Sequence, residues 1–222
     1  MHVVVNAAMS ADGKLSSRER TQVEISGPED FDRVDELRAE SDAVMVGVGT
    51  VLADDPSLTV DDERRVARRR ERGDPEQPAR VVADSRGRTP SDARVLDERA
   101  RTYLLTSEAA PTEFVDGMAA AGTEIVARGD ERVDLSAGLA ALEERGIEQL
   151  MVEGGGEHIF SLVAAELVDE LSVFVGPLLV GGRDAPTLAD GEGFVDEFPH
   201  LELEAVERLD EGVLLRWTPR YE

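Results

Sequence analysis

The chain reads as an α/β fold: a mostly parallel central sheet with helices on both faces, closed near its end by an antiparallel hairpin. Three observations predict this. Apolar runs alternate with amphipathic segments over most of the 222 residues. The last two apolar runs, 201–209 and 212–220, have no helix between them, only Asp210-Glu211, which suits a tight hairpin. The length supplies a real core, and no repeat or strong boundary divides it, so 1–222 is expected to form a single domain.

The elements follow in order. VVVNAAM (3–9) is a strand. Residues 25–41 form a helix with Pro28 near its start, acids in its first turn, and Phe31, Val34 and Leu37 on one face. Residues 43–48, 79–84 and 102–106 are strands. Between the first two of these, 61–78 is a charged excursion, helical in part, whose arginines are expected to pair with the acidic surface. A helix over 111–122 is closed by Gly122 and leads to a strand over 123–127. Leu135, Leu139 and Leu142 fall in step along a helix over 135–146, with Gly146 just past its end. A strand over 149–154, a helix over 156–168 and a strand over 170–179 precede the hairpin.

Charge narrows the function classes. Asp and Glu number 48 against 24 for Lys and Arg, a net of −24. The acids are dispersed rather than gathered in a tail, and Lys14 is the only lysine. Such a surface repels itself at low salt and is screened at high salt, which points to a salt-loving cytoplasm. Nucleic acid is excluded as a partner because its phosphates would be repelled. No apolar run is long enough for a membrane span, and the N-terminus reads as a strand rather than a leader. The chain has no cysteine, so disulfides, thiolate metal sites and cysteine nucleophiles are ruled out. His2, His158 and His200 have no metal-ligand spacing, and no metal is expected.

Four apolar strands end in unusual residues. Asn6 sits in the first strand, before the Asp12-Gly13 turn. VGVGTVLADDPSLTV (46–60) sets Asp54-Asp55-Pro56 directly after a buried strand. Asp84-Ser85-Arg86-Gly87-Arg88 follows the third, and Glu153 with three glycines follows the fourth. In open α/β sheets ligands collect beyond the carboxyl ends of strands. Three glycines between strand and helix permit positive φ and close approach of a phosphate to backbone amides.

In order along the chain, AAMSADGKL, LRAESDAVMVGVGTVLADDPSLTV, ARVVADSRGRTP, VEGGGEHIFSLVAAELVDEL and VGPLLVGG resemble the reductase family of riboflavin biosynthesis. The similarity spans about residues 3 to 218 and includes the reductase domain of bacterial RibD. It implies a dihydrofolate-reductase-like fold and a homodimer. It implies NADPH-dependent reduction of the ribosyl chain of 2,5-diamino-6-(ribosylamino)-4(3H)-pyrimidinone 5′-phosphate to its ribityl form. Bacterial members are commonly fused to a zinc deaminase, which this cysteine-free chain lacks. Asn6 stands where a lysine is expected in the fused form, so the stand-alone archaeal or fungal type is implied.

The resemblance also assigns residues. Thr50 and Asp54 bind the nicotinamide nucleotide, with a short helical turn between them and Asp55 in a structural role. Ser85, Arg86, Gly87, Arg88, Val126, Gly154, Gly155, Gly156 and Glu157 complete the cofactor set. Arg38, Lys14 and Gln22 are implied at the substrate, since Asp61 replaces the basic residue of the bacterial form. Glu153 and Asn6 are the catalytic candidates, Glu153 stabilising a protonated imine and orienting the substrate amines. Arg86 and Arg88 favour NADPH through its 2′-phosphate, while NADH stays possible. A pterin reductase and a non-catalytic NADPH-binding module remain as alternatives. LADDP and VEGGG oppose the first, and the accompanying substrate residues oppose the second.

Overall fold

The parallel strands of the sheet in this computed structural model are mostly apolar and buried, as burial on both faces requires, whereas its two antiparallel strands at the end are more exposed. Residues 1–221 are described. They divide into two compact units, one of Met1 with Asp35–Met151, the other of residues 2–34 with the chain from Val152 on. The divisions fall inside a helix and a strand.

In the first unit β2 (Ala43–Gly47), β3 (Ala79–Ala83), β4 (Thr102–Thr106) and β5 (Glu124–Ala127) pair in parallel. Their order is β5-β4-β3-β2, with β6 (Gln149–Glu153) beside β2. Val44, Val46, Val82 and Leu104 form one buried cluster with Val48 and Val51 of α2 (Val48–Asp54). Parallel pairing sets every carboxyl end at one edge: Gly47 lies beside Ala83, and Thr106 beside Ala127. Helices α4 (Thr112–Ala120) and α5 (Leu135–Glu143) connect the strands. The α5 helix stops short of its expected end, and the turn closes at Gly146 with φ +87.

The charged excursion contains a ten-residue helix, α3 (Glu63–Arg72). Asp62 caps it by accepting from the Arg64 amide, and Gly73 ends it in the left-handed region. Its arginines do pair with acids: Arg65 reaches Asp35 at 2.9 Å and Glu36 at 2.7 Å, and Arg70 reaches Glu76 at 2.8 Å. Arg69 is buried and donates to the carbonyls of Ala39, Ser41 and Pro75. Two of those carbonyls lie at the end of α1 (Pro28–Glu40), where orphan acceptors need donors.

In the second unit β1 (His2–Ser10) runs parallel to β7 (Glu170–Gly176). The β9 strand (Gly212–Arg220) is antiparallel to β7, and β8 (His200–Leu209) is antiparallel to β9 at the end of the order. The β7 strand ends before its expected limit because Pro177 has no amide to donate. The α6 helix (Gly156–Ala164) also ends early, with Glu166 at φ +57 and Leu167 bonding back to the Leu162 carbonyl. The two-residue hairpin turn does more than reverse the chain. Asp210 accepts from the amides of Glu29 at 3.1 Å and Asp30 at 3.0 Å, capping the first turn of α1. A Cβ at Gly27 would lie 2.4 Å from that carboxylate.

A second carboxylate ties down a loop. Asp12 accepts from the Ser10 hydroxyl at 2.6 Å and from the Val180 and Gly181 amides at 3.0 and 2.7 Å. The serine hydrogen bond, then the amides, hold its carboxyl down at about 2. The tether is therefore complete above the ordinary carboxylate range near about 4 and is lost as pH falls through about 2. The Val180 and Gly181 amide shifts will titrate with a midpoint at about 2 in NMR spectra, and Asp12→Asn will abolish that titration.

Candidate functional site

In the first unit the segments after β2 and β3 leave their strands at the same edge. The α2 helix packs Val48 and Val51 inward, which turns Thr50 outward in the first turn, half-buried. The Thr50 hydroxyl makes no hydrogen bond among the described residues. Asp54 and Asp55 then separate in role. Asp55 adopts the left-handed conformation at φ +40, and its carboxylate accepts from the Arg94 amide at 2.8 Å. It is the C-cap of α2 and an anchor for the 3-10 turn Arg94–Leu96. Asp54 stays solvent-accessible, yet surrounding protein raises its carboxyl above the usual range by desolvation.

The loop after β3 is wound around a carboxylate. Asp84 is fully buried and accepts from the Thr89 amide at 2.7 Å, the Thr89 hydroxyl at 2.8 Å, and the Arg88 and Arg86 amides. Gly87 sits at φ +67, and a Cβ there would lie 2.6 Å from the Phe114 ring. The glycine is thus demanded by packing. The Ser85 hydroxyl accepts from the Val133 amide at 3.0 Å, and the Ser85 carbonyl accepts from Ser107 at 2.8 Å. Arg88 lies 3.7 Å from Asp84. Arg86 is exposed and has no side-chain partner among the described residues. Val126 is only 2% exposed, so what it can offer a ligand is backbone. Arg38 donates to the Thr59 carbonyl at 3.0 Å.

In the second unit Glu153 ends β6, half-buried, ahead of the glycines. The three glycines differ. Gly154 (φ +69) has open space where a Cβ would stand, and Gly155 has φ +84. Gly156 is buried because the Thr187 carbonyl would lie 2.2 Å from a Cβ there. That close loop is pinned by Asp190, which accepts from Thr187 and donates its amide to the Gly156 carbonyl at 3.1 Å. Glu157 is exposed in the first turn of α6, where its charge suits the helix dipole. Its own charge opposes a phosphate, so its useful donor is the backbone amide. His158 has a buried Nε2 without a hydrogen bond, and burial pushes its pKa down to about 4, so it is neutral at pH 7. Lys14 pairs with Thr187 in a β-bridge and donates from Nζ to the Ala185 carbonyl at 3.0 Å. Gln22 lies exposed in an irregular segment. Asn6 lies mid-strand, 7% exposed, and accepts at 2.8 Å from Arg33.

Sequence reasoning marked Asp84 only as part of an unusual strand end and Asp210 only as a hairpin-turn residue, and it passed over Arg33. Asp84 carried a signal, as the first polar residue after a buried strand and five before a threonine. Arg33 carried none toward Asn6 and Ser172, and Asp210 none toward the α1 amides, because those partners are remote in sequence. Among the described residues no group of three or more His, Asp or Glu side chains could hold a metal ion.

Comparison with known proteins places the chain in a family. A family model described as the RibD C-terminal domain matches residues 1–215. The 2,5-diamino-6-ribosylamino-4(3H)-pyrimidinone 5′-phosphate reductase of Archaeoglobus fulgidus is 48% identical over 95% of this chain and 94% of its own. The protein of the same name from Methanothermobacter thermautotrophicus is 46% identical over 98% and 97%. Among solved structures, Acinetobacter baumannii RibD superposes with a TM-score of 0.79 at 26% identity, covering 99% of this chain and 58% of that one.

Asp84→Ala will strand several amides and cost about 3 kcal/mol of stability in urea unfolding.

Proposed function

We propose that this chain, which belongs to the RibD C-terminal domain family, is the NADPH-dependent reductase of 2,5-diamino-6-(ribosylamino)-4(3H)-pyrimidinone 5′-phosphate in riboflavin biosynthesis. The observation that carries this reading is the 48% identity, over nearly the full length of both chains, to the archaeal protein of that name. The single-domain reading is kept, since both unit divisions fall inside regular elements rather than in a linker.

The residues fit a nicotinamide nucleotide. The backbone at Gly154 is bare, with no atom within 4 Å of a Cβ position, so a phosphate can approach its amides. Arg86 has an uncommitted guanidinium suited to a 2′-phosphate. Thr50 offers a free hydroxyl, and Asp54 accepts from the nucleotide. A bound nicotinamide supplies the hydride. The ribosylamine nitrogen opens the sugar by pushing its lone pair to C1′, and the ring oxygen takes a proton. C1′ then gains the hydride, and the C=N π electrons return to the nitrogen, which keeps the hydrogen it already carries. Glu153 stabilises the cationic imine electrostatically. Asn6 contacts the substrate, while Arg38, Lys14 and Gln22 hold its phosphate and hydroxyls. Ser85, Gly87, Arg88, Val126, Gly155, Gly156 and Glu157 shape the cofactor side through backbone and loop geometry.

We further propose a cytoplasmic, salt-adapted homodimer. The dispersed net charge of −24 supports salt adaptation. Among the described residues no helix is long and apolar enough to cross a membrane. The hairpin supports a second copy of this chain as partner. On one face Leu201, Leu203 and Val206 stand opposite Pro219, Trp217 and Leu215. Leu203 and Val206 are 54% and 61% exposed, and β8 is the edge strand. The other face carries the ion pairs Arg216–Glu207 and Arg220–Glu202.

The decisive assay follows NADPH oxidation in multi-molar KCl and in low salt, with the diaminopyrimidine substrate and its deaminated counterpart. Oxidation is expected in high salt with the former; no oxidation of either would overturn the reading. Arg86→Ala will raise KM for NADPH about tenfold and leave KM for NADH unchanged. Leu203→Glu will shift the mass by light scattering from dimer to monomer, and an unchanged dimer would reject this face.

A further inference from the structure

An amide in the middle of a buried strand must be satisfied or aimed. The Asn6 carbonyl oxygen accepts from Arg33 Nη2 at 2.8 Å. The same guanidinium donates from Nη1 to Ser172 Oγ at 3.1 Å, and Ser172 is the β7 residue paired with Asn6. It also donates from Nε and Nη2 to Asp30 Oδ1 at 2.9 and 2.7 Å. Asp30 is 1% exposed, and its second oxygen accepts from Ser26 at 2.5 Å. Arg33 is thus held from three sides by groups that are themselves held. The Asp30 amide, in turn, is fixed by Asp210.

A guanidinium has donors and no acceptor. The Asn6 atom facing it must therefore be the oxygen, which turns the amide nitrogen away. That nitrogen makes no hydrogen bond among the described residues. We infer that Arg33 is a positioning residue for the reaction: it locks the Asn6 amide so that its two N–H donors, and not its carbonyl, face the substrate. The group met there is an acceptor, a carbonyl oxygen, hydroxyl oxygen or ring nitrogen of the pyrimidine ribosylamine. This rests on the reading of Asn6 as a substrate contact. Lysine at position 33 would keep the charge but could not serve Asp30, Ser172 and Asn6 together. The fork geometry, rather than the charge, does the orienting.

Two substitutions in the full chain, alone and together, test this. Asn6→Asp keeps the acceptor for Arg33 and removes both donors. It is expected to hold or raise the melting temperature while lowering kcat/KM about 100-fold. Arg33→Lys is expected to lower kcat about tenfold with KM for NADPH unchanged. In the Asn6→Asp background, Arg33→Lys should lower kcat no further, because its effect acts through the amide it orients. Wild-type kcat/KM in Asn6→Asp, or equal losses from Arg33→Lys in both backgrounds, would overturn the proposal. The side-chain amide signal of Asn6 gives a readout independent of turnover. It should be a single narrow pair in the wild type and broadened in Arg33→Lys; an unchanged pair would also overturn it. A wild type that oxidises NADPH with neither pyrimidine removes the functional reading, while the amide signal still decides the orientation.

Discussion

A chain with twice as many carboxylates as cations has to place each buried cation where one charge can serve several acceptors. Arginine does this here, and most of the internal order depends on it. Arg69 gathers the carbonyls of Ala39, Ser41 and Pro75. Arg80, fully buried in β3, gathers the carbonyls of Val95 and Asp97 and the Asp97 carboxylate. Arg33 gathers Asp30, Ser172 and Asn6. A planar fork of five fixed donors suits such convergence, and an ammonium does not. The near absence of lysine follows the same logic: Lys14, the one example, reaches the carbonyl of Ala185.

Buried carboxylates do the complementary work. Asp84 collects amides and winds a loop, as Asp12 does at the surface. Each replaces a hydrogen-bonding ladder that an irregular segment lacks. The loop wound on Asp84 carries the outward-facing Arg86. Under the proposed function, such support beneath cofactor-binding groups is what alignment of two carbons for hydride transfer demands.

The order and type of elements were legible in the sequence because they depend on local pattern. The β4 and β9 strands match their expected limits, 102–106 and 212–220. Ends set by distant partners were not legible. The early stop of α6 depends on Glu166 turning left-handed, which no periodicity records. The resemblance anticipated a helical turn at Thr50 and a structural Asp55, and both hold. The Asp55 partner is nevertheless Arg94, thirty-nine residues away, rather than a neighbouring amide. The glycine triplet was readable as a turn, but its division of labour was not. Gly156 is tight against Thr187, whereas Gly154 is open. Asn6 was readable as costly in a strand; the arginine that satisfies it lies on a helix face that looked merely charged.

The capping of α1 by Asp210 bears on how such a chain can change length over time. The residue that begins this helix is 181 positions away, in a turn with no spare residue. An insertion or deletion there would shift the hairpin register and uncap the helix in one event. Point substitutions on the charged face of β8 leave this arrangement intact, but growth at the β8–β9 junction does not. Descendants that lengthen must therefore do so elsewhere, and the irregular stretch between β7 and β8 offers room that this turn denies.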